Sequence, residues 1–178
     1  IHKGKVYFLF GKENPMEDSA KGFSDFGGGV EKGENIFQTA MREGGEELTG
    51  FLGDGTTIKK HIKKHGGIHK LIFNDYHVHL FFLPYDQNLI KYYNNNHRFL
   101  WERMDKKVLN ETKLFEKIEI DWFSYDDLKK RRKEFRNFYR EFLDVLQKEK
   151  RGIRKFLNKC QRKTYKRKPS IKNNTRKR

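Results

Sequence analysis

Cysteine and long apolar runs are what this sequence has least of. The 178 residues include one cysteine, Cys160, which excludes a disulfide within the chain and fits a reducing, cytoplasmic compartment. No apolar stretch reaches transmembrane length, no signal-peptide pattern is present, and no sequence period indicates repeats. The chain as a whole contains 35% hydrophobic and 15% aromatic residues. Such a chain is expected to bury one sizeable core and to have no membrane partner.

Acidic residues are scarce at one end of the chain. Residues 129–178 contain 22 lysines and arginines against four acids, whereas the other 128 residues contain 18 against 20. This distribution predicts a nearly neutral domain over residues 1–147, followed by a basic helix and tail over residues 148–178. From Arg162 onward no acid and no apolar period occurs, which predicts disorder until a partner binds. The expected partner is a polyanion, most commonly nucleic acid, and the alternative is a solubilising or localising tail.

The most informative stretch covers residues 28–50 and reads GGVEKGENIFQTAMREGGEELTG. Within it Glu43, Glu46 and Glu47 stand at i, i+3 and i+4, so a helix over residues 35–48 would place all three carboxylates on one face. Like charges so arranged repel each other and favour a hard divalent cation with oxygen ligands. The glycines before the helix allow close approach of a ligand to the backbone. A solvated acidic helix face is the alternative.

These residues resemble the box that defines the Nudix hydrolases, which cleave diphosphate bonds. The resemblance implies that Glu34 pairs with Arg42 and braces the loop on the helix. It also implies that Glu43, Glu46, Glu47 and the carbonyl of Gly28 bind Mg²⁺ or Mn²⁺, with one of the glutamates acting as general base. In several members a further acid before the last strand joins the site. By position Glu116 is the first candidate here and Glu119 the second.

The stretch departs from the family pattern at two places. Gly44 stands where a bulky aliphatic residue is usual, and Thr49 stands where a glycine is usual, with Gly50 one place later. Two glycines inside a helix cost about 1 kcal/mol each relative to alanine. We therefore expect either that another element packs closely against Gly44 and Gly45 or that the helix is locally irregular.

Patterns along the chain predict an α+β fold that is similar to the Nudix αβα sandwich with a mixed β-sheet, over roughly residues 3–146. Ser124 is predicted to cap a last helix with Asp127. Apolar residues then recur at helical spacing, at Leu128, Phe135, Phe138, Phe142 and Leu146. Strands are predicted at Lys5–Lys12, Gly22–Phe26, Lys70–Phe73, Tyr76–Leu83 and Glu119–Phe123, a helix at Gln87–Met104, and a short helix or loop at Thr56–Lys64.

The resemblance implies a substrate in which a nucleoside diphosphate is linked to a second group, and it leaves that group undefined. The preferred substrate is the 5′ cap of mRNA, whose cleavage would release m⁷GDP and 5′-monophosphate RNA. Such an enzyme needs a cationic path for the RNA chain. A basic run close to the last predicted strand supplies it, and its members are Arg131, Arg132, Lys133, Arg136 and Arg140. The composition, the basic end and the box also look like the decapping Nudix proteins of large cytoplasmic DNA viruses, which would place the chain in the host cytoplasm.

A methylated, positively charged guanine is bound well between aromatic faces. Candidates for this stacking are Tyr92, Tyr93 and Trp101, with Tyr7 and Phe23 as further possibilities. Three alternatives to decapping remain open. They are hydrolysis of an inositol pyrophosphate, hydrolysis of nucleoside triphosphates or dinucleoside polyphosphates, and RNA binding without catalysis on a Nudix scaffold.

Overall fold

The structure is a computed structural model that describes residues 1–14, 21–112 and 116–165. Its strands are β1 (Tyr7–Glu13), β2 (Phe23–Ser24), β3 (Ile68–Phe73), β4 (Tyr76–Phe81) and β5 (Lys117–Ser124). Its helices are α1 (Ile36–Glu46), α2 (Gly55–His65), α3 (Gln87–Arg103), α4 (Lys106–Thr112), α5 (Tyr125–Lys130), α6 (Tyr139–Lys148) and α7 (Lys150–Tyr165), with a 3₁₀ turn at Arg132–Glu134. The predicted α+β class is confirmed.

The strands form two antiparallel sheets within the described residues, rather than one mixed sheet. In the first sheet β1 lies between β2 and β5, and its register on β5 runs from Tyr7 opposite Ser124 to Glu13 opposite Lys117. The second sheet is the hairpin of β3 and β4. A short parallel contact exists as an isolated bridge between Phe23 and Phe135. The hairpin is not hydrogen bonded to β1, and the cavity described below lies in the space between the two sheets.

Helices cover both faces of the three-stranded sheet. Alternate residues of a strand point to opposite faces, and β1 accordingly divides its apolar side chains between two clusters. Phe8 and Phe10 pack in one cluster with Phe142 of α6, while Leu9 packs in the other with Tyr93 of α3. This helix–sheet–helix layering agrees with the predicted sandwich.

The glycine pair inside α1 is explained by the second helix. A Cβ on Gly45 would lie 3.3 Å from the backbone nitrogen of Gly55, and one on Gly55 would lie 2.8 Å from the carbonyl oxygen of Met41. The expectation of a closely packed neighbour is therefore confirmed at Gly45. Gly44 has ordinary room, with its nearest neighbour at 3.8 Å. Helix α1 ends at Glu46, and Thr49, three residues beyond that end, adopts a positive φ of 52°.

The prediction of one long last helix is wrong. Helix α5 does begin with the predicted capping box of Ser124 and Asp127, but it ends at Lys130. The chain then turns so that Phe135 is buried, with the backbone N–H of Arg136 donating to the carbonyl of Phe23 at 3.1 Å. Helix α6 starts only at Tyr139. The prediction counted Phe138 among the buried residues of one helix because it fits the helical spacing. In the structure Phe138 is 53% exposed.

The basic end of the domain is folded as far as Tyr165. Helix α7 buries Ile153 in the main core and Cys160 against Gly66, where an added Cβ would lie 2.8 Å from Sγ. Helix α7 thus packs on the domain through Ile153 and Cys160, and residues 162–165, which were predicted to be disordered, are part of this helix. The rest of the predicted tail, residues 166–178, lies outside the described residues. Across the described helices, none combines the length and apolarity needed to span a bilayer.

Candidate active site

The glycine loop and the start of α1 are fixed by local hydrogen bonds. Asn35 caps the helix by accepting from the backbone N–H groups of Phe37 and Gln38, and the side chain of Gln38 accepts from the backbone N–H of Asn35 at 2.9 Å. This reciprocal capping box sets where the helix begins. It therefore determines which side chains reach the last turn, where Glu43 and Glu46 lie.

Arg42 joins the loop to the helix through Glu34. Its Nε and Nη2 donate to the two carboxylate oxygens of Glu34 at 2.8 and 3.1 Å, and Nη2 also donates to the carbonyl of Gly29 at 3.2 Å. These charge-assisted bonds lower the pKa of Glu34 to about 2. The pKa of Arg42 is raised for the same reason. The structure thus brings together the two residues assigned to the brace.

Glu43 and Glu46 share the same guanidinium. Nη1 of Arg42 donates to Glu43 at 2.9 Å and to Glu46 at 3.1 Å. Glu46 is an exposed carboxylate, with 62% of its side chain accessible, whereas 13% of Glu43 is accessible. Two carboxylates are thus held around one positive charge, and of the two Glu46 is the accessible one.

Glu47, in contrast, points into the protein. Its side chain is 5% exposed, one oxygen lies 3.2 Å from the ammonium of Lys117, and the other accepts from the backbone N–H of Gly27 at 2.8 Å. Burial raises the pKa of Glu47 to about 8, because the cost of desolvation exceeds the attraction of Lys117, and the nearby charge of Glu13 adds to it. The expectation that all three glutamates share one face is therefore corrected. Glu47 follows the last helical residue and turns inward.

Lys117 is the residue of this site that the sequence did not reveal. It is 1% exposed, ion-paired with Glu13 as well as Glu47, and hydrogen bonded to Ser24 at 3.2 Å. Its alkyl chain lies over Gly11, where an added Cβ would come within 2.7 Å of Cγ. In the sequence Lys117 alternates with Glu119 and Asp121, a pattern that indicates an exposed strand face. No signal in the chain marks it as buried.

The further acids lie apart from this set. The backbone carbonyl of Glu116 accepts from the N–H of Asn14 at 2.9 Å, and Glu119 pairs with Lys12 at 3.3 Å on the sheet. Within residues 1–14, 21–112 and 116–165, no three His, Cys, Asp or Glu side chains are grouped as a metal site. The structure thus does not gather Glu43, Glu46, Glu47 and Glu116 around one point.

Part of the acidic set nevertheless fits a divalent cation. Carboxylate oxygens are the donors that Mg²⁺ and Mn²⁺ prefer, and Glu43 and Glu46 already converge on one cationic group. A Cβ on Gly28 would collide with the carboxylate of Glu43, so the loop backbone lies as close to that carboxylate as only a glycine allows. Glu43, Glu46 and the carbonyl of Gly28 would hold the cation. Glu47 would join them only by leaving Lys117.

A cavity of about 390 Å³ lies beside the loop, between β1 and the β3–β4 hairpin. Gly27 and Gly28 line it, so it adjoins the acidic end of α1. Its walls are mainly apolar and aromatic, and include Phe26, Tyr76 and Trp122. This volume lies in the range of small-molecule sites.

The aromatic residues assigned to cap stacking lie elsewhere. Tyr93 is 1% exposed and its hydroxyl donates to the carbonyl of Lys117 at 2.7 Å, so its assignment as a stacking residue is corrected: the ring is core. Tyr92 is exposed on α3, and the ring of Trp101 is covered by the ammonium of Lys106 at 4.0 Å. None of the three lines the cavity. Of the two further possibilities, Phe23 is buried in the core, whereas Tyr7 lines the cavity.

Most of the predicted RNA path is paired with other groups of the same chain. The contacts are those of Arg131 with Asp121 and Glu134, Arg132 with Asp144, Arg136 with Glu13, and Arg140 with the backbone carbonyls of Lys133 and Phe135. Arg136 is the clearest case, because it lies 2.7 Å from a carboxylate that is 8% exposed. Lys133 remains exposed. These arginines are thus engaged in internal contacts and do not form an open cationic path.

A different basic surface is formed by α2 and α7. Neither helix contains an acid, and the two pack against each other where Gly66 meets Cys160. The exposed cations on these helices include Lys59, Lys60, Lys63, Lys64, Arg151, Lys155, Lys159 and Arg162. Apart from Lys64, none of these takes part in an ion pair within the described part of the chain. We refer to this set as the α2–α7 basic surface, and its helix α2 packs on α1, the helix of the acidic site.

Comparison with known proteins agrees with the geometry of the loop and helix. The family model described as NUDIX domain matches residues 3–146, which includes the loop, α1, both sheets and most of α6. No curated protein and no solved structure matches the chain. The α+β architecture is consistent with the Nudix fold, and members of the family hydrolyse diphosphate bonds and generally use divalent cations such as Mg²⁺ or Mn²⁺. With a family match over most of its length and the Glu34–Arg42 pair in place, the chain belongs to the Nudix hydrolases.

Proposed function

We propose that this Nudix hydrolase removes the 5′ cap of RNA, releasing m⁷GDP and an RNA with a 5′ monophosphate. The observation that carries the proposal is the α2–α7 basic surface, which is joined to the helix of the acidic site because α2 packs on α1. A nucleoside triphosphate or a dinucleoside polyphosphate has at most one nucleoside beyond its phosphates and needs no such surface. A capped RNA continues beyond it, and each phosphate that contacts a lysine or arginine releases counterions and so strengthens binding.

The chemical roles follow from the position of each side chain. Arg42 keeps Glu43 and Glu46 beside the loop, and Glu34 keeps Arg42 in place. Of these two carboxylates, Glu46 is the one open to water and so the one that would accept a proton from it, since 62% of its side chain is exposed. Glu43, Glu46 and the carbonyl of Gly28 would hold a divalent cation, which would supply charge neutralisation for the diphosphate and a lowered pKa for a bound water.

Hydrolysis of an inositol pyrophosphate is the second candidate. Four lysines close together on α2, Lys59, Lys60, Lys63 and Lys64, suit a compact polyphosphate as well as a chain. The two candidates differ in the length of surface they need. A compact ligand would depend on a few of these lysines, whereas an RNA chain would depend on both α2 and α7.

The direct test is identification of the product. RNA labelled in the cap, and in parallel an inositol pyrophosphate, would be incubated with the protein and Mg²⁺ or Mn²⁺, and the products separated. We expect labelled m⁷GDP, and no product once the cation is chelated. Absence of m⁷GDP together with hydrolysis of the inositol pyrophosphate would replace the proposal with the second candidate.

A further inference from the structure

Two carboxylates that the proposed chemistry does not use, Asp25 and Asp75, line the cavity beside the glycine loop, and of the two only Asp75 is exposed. Asp25 lines the cavity three residues before Gly28, so it lies one short step along the chain from the loop of the acidic site. Val30 and Ile36 also line the cavity and are 57% and 41% exposed, which places its mouth at the loop and the start of α1. A group attached to a diphosphate at Glu43 would therefore enter the cavity from this side.

Asp25 is held in a fixed orientation. The hydroxyl of Tyr76 donates to its Oδ1 at 2.5 Å, and the hydroxyl of Tyr139 is hydrogen bonded to the same carboxyl group. A carboxylate has about four acceptor positions, so about two remain for another partner. The charges of Lys117 and Arg136 attract the carboxylate of Asp25 from a longer distance. No cation of the described residues lies within ion-pair distance of it.

A carboxylate with no cation in contact is costly beside an apolar cavity. Burial raises the pKa of Asp25, which reflects that cost. The cost is offset when a ligand brings N–H donors, and more fully when the ligand is positively charged. Aromatic walls, including Trp122 and Phe26, favour a flat ring and attract a cationic one.

Guanine methylated at N7 has the properties that this cavity selects. Its ring is flat and positively charged, and N1–H and the N2 amino group lie on one edge as adjacent donors, which suits the two oxygens of a carboxylate. Adenine has an acceptor at N1 on the corresponding edge and carries no charge. A carboxylate therefore distinguishes the two bases by both hydrogen bonding and charge.

We propose that Asp25 is a specificity-determining residue whose carboxylate binds the N–H edge of a methylated guanine held in this cavity. The inference deepens the proposed function and rests on it, because it identifies which part of the capped end enters the protein. Tyr76 and Tyr139 act as positioning residues that aim the carboxylate. The aromatic walls of the cavity, and not Tyr92, Tyr93 or Trp101 of α3, would then stack on the base.

The test is equilibrium binding of m⁷GDP, GDP and ADP by calorimetry, using the wild-type protein and Asp25→Asn. Asparagine keeps the shape and can still accept from Tyr76, but it lacks the charge and the second acceptor oxygen. We expect the wild type to bind in the order m⁷GDP, GDP, ADP. Asp25→Asn should lose about 10- to 100-fold in affinity for m⁷GDP, the range for a hydrogen bond to a charged group, and less than about twofold for ADP.

Tyr76→Phe is the second variant, since it leaves the carboxylate in place and removes one hydroxyl that orients it. We expect Tyr76→Phe also to lose affinity for m⁷GDP and to bind ADP as the wild type does. If Asp25→Asn fails to fold, this variant tests the guanine site in its place. Equal affinity of the wild type for m⁷GDP and ADP, or unchanged m⁷GDP binding in a folded variant, overturns the inference.

The two proposals fail separately. If capped RNA is not cleaved but m⁷GDP binding depends on Asp25, decapping is wrong and the guanine site stands. If capped RNA is cleaved and Asp25→Asn binds m⁷GDP like the wild type, decapping stands and the guanine site is wrong.

Discussion

Replacing Lys117 with methionine removes the buried ammonium beneath the box while keeping a side chain of similar length. In the structure this ammonium contacts Glu13, Glu47 and Ser24. Glu13 retains a second cation, because Arg136 lies 2.7 Å from it. Glu47 has no other cation within ion-pair distance in the described residues. The cost of the substitution should therefore fall on Glu47.

Removing one partner of a buried ion pair destabilises a protein by about 3–5 kcal/mol, because the other charge is left without compensation. Here the cost depends on pH. The pKa of Glu47 is raised from its ordinary value of 4.5 to about 8, so its contribution to stability is full below pH 4.5 and is lost as the pH rises through 8. Without Lys117 that pKa rises further. The destabilisation should thus be largest near pH 8.5 and should shrink toward pH 6, where Glu47 is protonated with or without Lys117.

Urea unfolding at pH 6 and pH 8.5 measures this effect. The matched control is Lys117→Met combined with Glu47→Gln, which removes both charges of the pair. We expect the double variant to be more stable at pH 8.5 than Lys117→Met alone. Equal stabilities for the two variants, with no dependence on pH, would show that Glu47 and Lys117 are not coupled and would refute the reasoning.

Three further outcomes are expected. Glu46→Gln should lower turnover at least about a hundredfold and weaken Mn²⁺ binding measured by calorimetry without changing Tm, and near-full activity would remove Glu46 from the site. Glu34→Gln should lower Tm in saturating Mg²⁺ more than Arg42→Lys does, because it leaves a guanidinium without its main partner; equal, negligible losses would mean that the loop is held otherwise. Truncation after Gln147 should unfold the domain by exposing the core around Ile153, whereas a folded, soluble truncated protein would show that α7 is dispensable.

Local signals in the sequence were sufficient for the box and several element boundaries. Asn35 and Ser124 begin their helices because each cap needs only residues within one turn, and Glu34 reaches Arg42 because the loop and the helix are adjacent in sequence. The glycine at position 45 indicated a closely packed neighbour and Gly55 is that neighbour. Contacts between residues that are close in sequence can thus be predicted from their spacing alone.

Contacts between residues that are far apart in the sequence could not be predicted. Lys117 meets Glu13 across 104 positions of the chain, and nothing in its neighbourhood distinguishes it from an exposed lysine on a strand. Similarly, the arginines at 131 and 136 look like a free basic run until the acids that pair with them are known. Periodicity also predicted a continuous last helix, because it cannot show that burying Phe135 against Phe23 requires a turn.

The measurement that tests the central claim most directly compares kcat/KM on a long capped RNA with kcat/KM on a free cap dinucleotide. The variant is Lys59→Glu with Lys63→Glu on the α2–α7 basic surface. The control makes the same change of charge on α3, at Lys91 and Arg98. We predict that the first variant loses efficiency on capped RNA alone and that its salt dependence of binding flattens by about 0.7 in log–log slope for each lost phosphate contact. An equal loss on both substrates, no loss on either, or an equal loss in the control would contradict the account.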